Sequence, residues 1–163
     1  MTPDNPLDAP HDRPSRIPWP PILLVTAVAV AVIGDLLVPL PWPGIDDMAA
    51  RVVGRAIGIG GIVMILWAAF TLYRARTTIL PHRAADNLVT TGAFARFRNP
   101  IYLGDVMMLL GLAELTKNPW FVIAAAIFVL AITKLAILPE ERHLEARFGD
   151  KYRDYKSRSR RWI

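Results

Sequence analysis

Residues 98–142 read RNPIYLGDVMMLLGLAELTKNPWFVIAAAIFVLAITKLAILPEER. Two apolar segments are joined by the turn Lys117-Asn118, and a polar cluster lies at each outer end. We call Arg98–Gly104 the first cluster and Glu140–Arg142 the second cluster. Because so short a turn makes the two helices antiparallel neighbours, the sequence predicts that both clusters lie side by side at one end of a helical hairpin.

The composition indicates a membrane protein. Of 163 residues, 53% are hydrophobic, the mean hydropathy is +0.33, and 20% are charged. The charges concentrate in the N-terminal tail, in residues 74–100 and after Pro139. Segregation of this kind is typical of membrane spans separated by aqueous loops. The net charge of +5 comes from Arg-rich loops, and no basic patch stands apart that would favour a nucleic acid as partner.

We predict an all-α integral membrane bundle with four transmembrane helices and a C-terminal interfacial amphipathic helix. The spans are expected at about 22–40, 52–73, 101–116 and 119–138, within one domain covering 20–163. The Pro- and Asp-rich residues 1–19 predict a disordered cytoplasmic tail. The aromatic and leucine residues of the last helix recur at helical spacing and are expected to face the lipid: Leu144, Phe148, Tyr152 and Tyr155. A break in this helix is expected at Gly149-Asp150.

Small residues predict where the spans pack. Gly54, Gly58 and Gly61 share a face of span two, and Gly104 and Gly111 share a face of span three, so that another helix can approach closely. Span three, at about 24 Å, is short for a full crossing. In span four, Lys134 either extends to the headgroups or pairs with Glu141, seven residues later on the same face of a regular helix.

The distribution of Lys and Arg predicts the orientation. The loop 41–50 has neither residue and the turn at Lys117 has one, whereas residues 74–100 have five and the tail after Pro139 has eight. Basic loops remain in the cytoplasm. We therefore expect a multi-pass protein, in the inner membrane if bacterial, with both termini and the active site on the cytoplasmic side.

The clusters themselves have the chemistry of a binding site for a small ligand. There is no cysteine, which excludes thiol catalysis, and none of His11, His82 and His143 has a second His or Cys at metal-ligand spacing, so no metal is expected. Carboxylates, guanidinium groups and aromatic rings together suit a polar or zwitterionic ligand. The alternative is that the Arg residues are topological anchors and the two Glu a charge pair at a helix end.

The order of motifs resembles a family of membrane methyltransferases. G-x-F, R-x-P-x-Y-x-G, a helical hairpin and then E-E-x-x-L-x-x-x-F-G-x-x-Y-x-x-Y is similar to isoprenylcysteine carboxyl methyltransferase and the bacterial phospholipid methyltransferases. The likeness covers about two-fifths of the chain, with the catalytic region at 88–156. The family usually has His where this chain has Asn99, and Asn does not titrate near neutral pH.

The resemblance implies S-adenosylmethionine as methyl donor, S-adenosylhomocysteine as product and a lipophilic acceptor that enters from the bilayer. Residues with an implied catalytic role are Arg98, Tyr102 and Glu141. Residues with an implied role in cofactor binding are Asn99, Pro100, Tyr102, Gly104, Glu140, Glu141 and Arg142. We hypothesise that Glu140 and Glu141 hold the amino or ribose part of the donor, and that Arg98 or Arg142 pairs with its carboxylate.

The acceptor stays open between three readings. A carboxylate such as that of isoprenylcysteine is already ionised and needs no base, and it is the expected substrate. A phospholipid headgroup amine has to lose a proton, which asks Glu141, Asp105 or Tyr102 to act as the base. A non-catalytic membrane protein that retains the fold is the third reading, because of Asn99. Membrane lipid is the expected surrounding, and no oligomeric state is implied.

Overall fold

The computed structural model describes residues 17–75 and 88–163, and in these ranges the chain is helical and without β-strands. Most of the expected N-terminal tail and residues 76–87 of the loop between spans two and three, including His11 and His82, lie outside the described residues. The elements in order are α1 Trp19–Leu37, α2 Met48–Arg74, a 3-10 turn Gly92–Ala95, α3 Pro100–Thr116, α4 Trp120–Ile132, a π turn Thr133–Ile137, α5 Leu138–Phe148 and α6 Asp150–Arg158.

Three helical segments are long and apolar enough to cross a membrane, namely α1, α2 and the continuous run Trp120–Phe148 that contains α4. Helix α3 has 17 residues and a length of about 26 Å, so the fourth span stays a prediction. Helix α1 begins three residues before the expected start, because proline is tolerated in the first turn of a helix, where its missing N–H has no partner to lose.

The helices pack in the order α2, α3, α4, α1, so that the predicted hairpin lies in the middle. The glycines of α2 and α3 face one another, as their spacing predicts. A Cβ atom on Gly111 would come 2.4 Å from the Cα of Gly58, and one on Gly61 would come 2.6 Å from the carbonyl oxygen of Gly104. The two backbones are therefore in direct contact, which only glycine permits at these positions.

The turn between α3 and α4 is anchored to α1. Lys117 adopts a left-handed conformation with φ of 56°, and the Asn118 amide donates a hydrogen bond of 3.0 Å to the carbonyl of Ala31. The indole N–H of Trp120 donates to the carbonyl of Val38 at 2.9 Å. The Lys117 ammonium group lies 3.0 Å from the Asp46 carboxylate and also pairs with Glu114. These contacts hold the end of the hairpin that is remote from the two clusters.

The π turn Thr133–Ile137 changes the rotational phase of the helix just before the second cluster. The Leu138 N–H bonds to the carbonyl of Thr133, five residues earlier instead of four. Lys134 and Glu141 therefore do not share a face as they would on a regular helix. Lys134 is exposed, and the pairing of Lys134 with Glu141 is wrong because Glu141 pairs with two arginines instead.

The C-terminal region consists of two short helices instead of one. Gly149, with φ of +53°, separates α5 from α6, as predicted at Gly149-Asp150. The expectation that Tyr152 and Tyr155 face the lipid is wrong, since their exposed fractions are 1% and 4% and they are covered by protein. The Tyr155 hydroxyl donates to the carbonyl of Phe94 at 2.7 Å, which joins α6 to the segment that precedes α3.

Candidate active site

The two clusters are in direct contact. The Arg98 Nε lies 3.3 Å from Glu141 Oε1, and the two side chains are only 10% and 8% exposed. Arg98 lies two residues before the start of α3 and Glu141 lies in α5, so this contact joins the two outer ends of the hairpin. The prediction that the hairpin brings the clusters to one end is confirmed.

A third residue, Arg161, completes the ion pair and was missed by sequence reasoning. Its Nε and Nη2 atoms donate to the two oxygens of Glu141 at 3.0 and 2.7 Å, in the forked arrangement that arginine makes with carboxylates. These hydrogen bonds raise the pKa of Arg161 above its ordinary value. Its position in a basic tail was the only sequence signal, and that signal is shared with seven other residues.

Arg98 acts as the centre of a hydrogen-bond network. Besides contacting Glu141, its Nη1 donates to the carbonyl oxygens of Lys156 and Ser159 at 3.0 and 2.5 Å. These carbonyls belong to the end of α6, where helical partners are missing and a cation is favourable. The Arg98 guanidinium is thus largely occupied by the protein itself.

The other residues of the first cluster position α3. The Asn99 side-chain amide donates to the carbonyl of Arg161 at 2.9 Å and is 9% exposed. Pro100 begins α3, as the sequence predicts. Gly104 faces α2, where a Cβ atom would meet the side chain of Ile65 at 2.6 Å. Asn99, Pro100 and Gly104 therefore make structural contacts in this part of the chain.

Tyr102, Asp105 and Glu140 have no such partners among the described residues, and we call these three side chains the acidic patch. Tyr102 is 7% and Asp105 6% exposed, and Glu140 is half-buried. Asp105 lies three residues after Tyr102 in α3 and so about one helical turn from it, and the Glu140 and Asp105 carboxylates are close enough to act electrostatically on the Tyr102 hydroxyl. Within residues 17–75 and 88–163, none of the three side chains makes a hydrogen bond or ion pair.

Arg142 and the tyrosines of α6 have other surroundings. Arg142 is exposed on α5 and makes no ion pair with any described residue. Burial raises the pKa of Tyr155 to about 12, and burial likewise raises the pKa of Tyr152 above its ordinary value. Both phenols consequently stay protonated at neutral pH and are unsuited to act as bases.

Comparison with known proteins decides the family. The family model described as phospholipid methyltransferase matches residues 49–151, which is more than half of the chain and includes both clusters and the hairpin between them. The chain belongs to the phospholipid methyltransferase family. This membership supports a membrane methyltransferase and agrees with the resemblance carried by the ordered motifs.

Two curated proteins are similar in sequence. An uncharacterized protein of Haemophilus influenzae is 38% identical over 63 residues, which cover 39% of this chain and all of that protein. The nickel-cobalt-cadmium resistance protein NccN of Alcaligenes xylosoxydans xylosoxydans is 29% identical over 120 residues, which cover 70% of this chain. The match spans about half (51%) of the length of NccN.

Proposed function

We propose that this protein transfers a methyl group from S-adenosylmethionine to a lipophilic acceptor at the cytoplasmic membrane surface. The observation that carries the proposal is the contact of the two clusters beside an acidic patch whose side chains lack internal partners. A buried carboxylate without a partner is costly, so a site of this kind is suited to a ligand that brings a cation or hydroxyl groups.

The donor fits the acidic patch better than it fits the ion-paired residues. S-adenosylmethionine carries an ammonium group, ribose hydroxyls and a sulfonium, all of which suit carboxylates. Glu140 is the candidate ligand for these groups, with Tyr102 available for the flat ring. Glu141 and Arg98 are already bonded to each other and to the C-terminal residues, so we assign them to holding the site together. Arg142 is exposed on α5, so it is a candidate for binding the donor carboxylate only if that part of the donor lies at this surface.

The methyl transfer itself requires little covalent or acid–base catalysis from the protein. The sulfonium supplies an activated methyl group when the donor is bound, and the task left to the side chains is alignment and exclusion of water. Tyr102 and Asp105 are themselves only 7% and 6% exposed, so water has little access to their part of the acidic patch.

The acceptor is proposed as a carboxylate such as that of isoprenylcysteine, with the headgroup amine of a phospholipid as the second candidate. One observation favours the amine. Arg98 and Arg161, which would bind an acceptor carboxylate, are both paired with Glu141, whereas Asp105 and Glu140 are acidic groups without a partner in the described chain. An amine needs a base, and the Asp105 carboxylate has the required chemistry, since Glu140 is assigned to the donor.

Calorimetry with S-adenosylhomocysteine on the purified protein in detergent tests donor binding. We expect the wild type to bind and the Glu140→Gln variant to bind about tenfold more weakly, because a charge-assisted hydrogen bond is lost. Glu145→Gln is the matched control, since Glu145 lies on the same helix but pairs with Lys156 at the surface. No binding by the wild type would contradict the proposal and leave the non-catalytic reading.

An assay with labelled S-adenosylmethionine then distinguishes the carboxylate acceptor from the amine acceptor. A prenylated cysteine and phosphatidylethanolamine are offered separately in mixed micelles, and the methylated product is identified by mass spectrometry. Methyl ester formation supports the carboxylate acceptor, and methylation of the headgroup nitrogen supports the amine.

A further inference from the structure

The residues that follow α6 form a strap across the first cluster. We define the C-terminal strap as Ser159–Ile163. The backbone N–H of Arg98 donates to the carbonyl of Arg160 at 2.7 Å, and the N–H of Arg160 donates to the carbonyl of Arg96 at 2.8 Å. Ser159 is buried, and Trp162 packs against the hydrophobic core. The strap is thus bonded along the segment that leads into α3.

Arg161 is the residue of the strap that contacts both clusters at once. Its side chain holds both oxygens of Glu141, and its carbonyl accepts the hydrogen bond from the Asn99 amide. The family match ends at residue 151, so this residue lies outside the region by which the family is recognised.

We propose that Arg161 is a positioning residue of the active site, which orients the Glu140-Glu141 pair through its forked contact with Glu141. The inference rests on the proposed function. A fork with two parallel hydrogen bonds fixes the carboxylate plane of Glu141 and with it the first turn of α5. Glu140 is the preceding residue on that turn and belongs to the acidic patch, so a displacement of this turn would move the Glu140 carboxylate relative to Tyr102.

A purely structural role for Arg161 predicts different behaviour. If the ion pair only stabilised the fold, removing it would lower thermal stability and leave the affinity of the folded protein for the donor unchanged. A positioning role requires weaker donor binding by protein that is still folded, with partial recovery in Arg161→Lys, because lysine keeps the charge and loses the fork.

The adjacent residue provides a matched control. Arg160 has the same side chain and a neighbouring position in the strap, but its side chain is exposed and makes no ion pair with any described residue. Only its backbone groups contribute to the bridge with the first cluster, and substitution to Ala leaves these in place.

The experiment compares Arg161→Ala, Arg161→Lys and Arg160→Ala with the wild type at a temperature where all are folded. Affinity for S-adenosylhomocysteine is measured by calorimetry, and release of the strap by the rate at which a carboxypeptidase removes the last residues. We expect binding by Arg161→Ala to be about tenfold weaker, with faster trimming, an intermediate result for Arg161→Lys and no change for Arg160→Ala.

Binding by Arg161→Ala equal to that of Arg160→Ala would overturn the inference while leaving the proposed function intact. Trimming of the two variants at equal rates would show that Arg161 does not anchor the strap and would overturn it as well. If the wild type itself bound no product, the proposed function would fail, and the positioning role would fail with it.

Discussion

Glu141 is shared by two arginines that are far apart in the sequence. Arg98 reaches it from the start of α3, and Arg161 from the end of the chain. The carboxylate is 8% exposed, so its charge is compensated by these contacts instead of by water. Removing one partner from a buried ion pair lowers the free energy of unfolding by more than the intact pair contributes to it, because the remaining charges stay buried.

We therefore expect Glu141→Gln to lower the free energy of unfolding by about 2 kcal/mol, since Arg98 and Arg161 lose their common counter-charge. Thermal unfolding in detergent, followed by circular dichroism, measures the change. Glu145→Gln, which breaks a half-exposed pair with Lys156, should cost no more than about 0.5 kcal/mol. Equal losses in the free energy of unfolding would show that the buried Glu141 ion pair stabilises the protein no more than the Glu145–Lys156 pair does.

At this scale the sequence predicted which residues meet but not all of their roles. Arg98 and Glu141 were expected near one another because a two-residue turn leaves the hairpin no other arrangement. Arg161 was not expected, because one arginine in a run of basic residues has no local feature that distinguishes it from Arg158 or Arg160. Arg161 pairs with Glu141 because of the path that the C-terminal strap takes, and that path depends on contacts between residues distant in sequence.

Helices α2 and α3 show how small residues fix the position of the first cluster. Their backbones touch along Gly58 and Gly111, so α3 has little freedom to slide or rotate against α2. The glycine spacing made this face predictable. The π turn was not predictable, because Pro139 in sequence indicates only a helix start and gives no sign that the preceding turn widens by one residue.

Gly111→Ala should destabilise the bundle by about 1–3 kcal/mol, because the added Cβ would lie 2.4 Å from the Cα of Gly58 and backbone atoms have to move. Gly60→Ala is the control, since its Cβ would meet only the flexible end of Met107 at 3.2 Å. Thermal unfolding of both variants checks the expectation. A Gly111→Ala variant as stable as Gly60→Ala would contradict the close contact of the two helices.

The whole molecule presents apolar side chains on its outer helical faces and charged side chains at its ends. Exposed residues of α1 and α2, such as Leu36, Leu37, Ile59 and Leu66, are 62–77% exposed, as expected for surfaces that lipid covers. The C-terminal basic residues lie at the end that carries both clusters. The distribution of charge therefore predicts that this end faces the cytoplasm.

The absence of native cysteine makes this orientation directly testable. Lys151→Cys places a thiol on exposed α6, and Ile45→Cys places one in the exposed loop between α1 and α2. In intact cells, a membrane-impermeant maleimide should label the Ile45→Cys protein and not the Lys151→Cys protein. The opposite pattern would place the proposed active site outside the cytoplasm.

We infer that residues of both clusters line one pocket for the methyl donor. An experimental structure with bound S-adenosylhomocysteine would show whether they do. We predict that the ligand lies against Tyr102 and Glu140, with Glu141 still held by Arg98 and Arg161. A ligand bound away from Tyr102 and Glu140, or one that displaces the arginines from Glu141, would rule out a shared donor pocket.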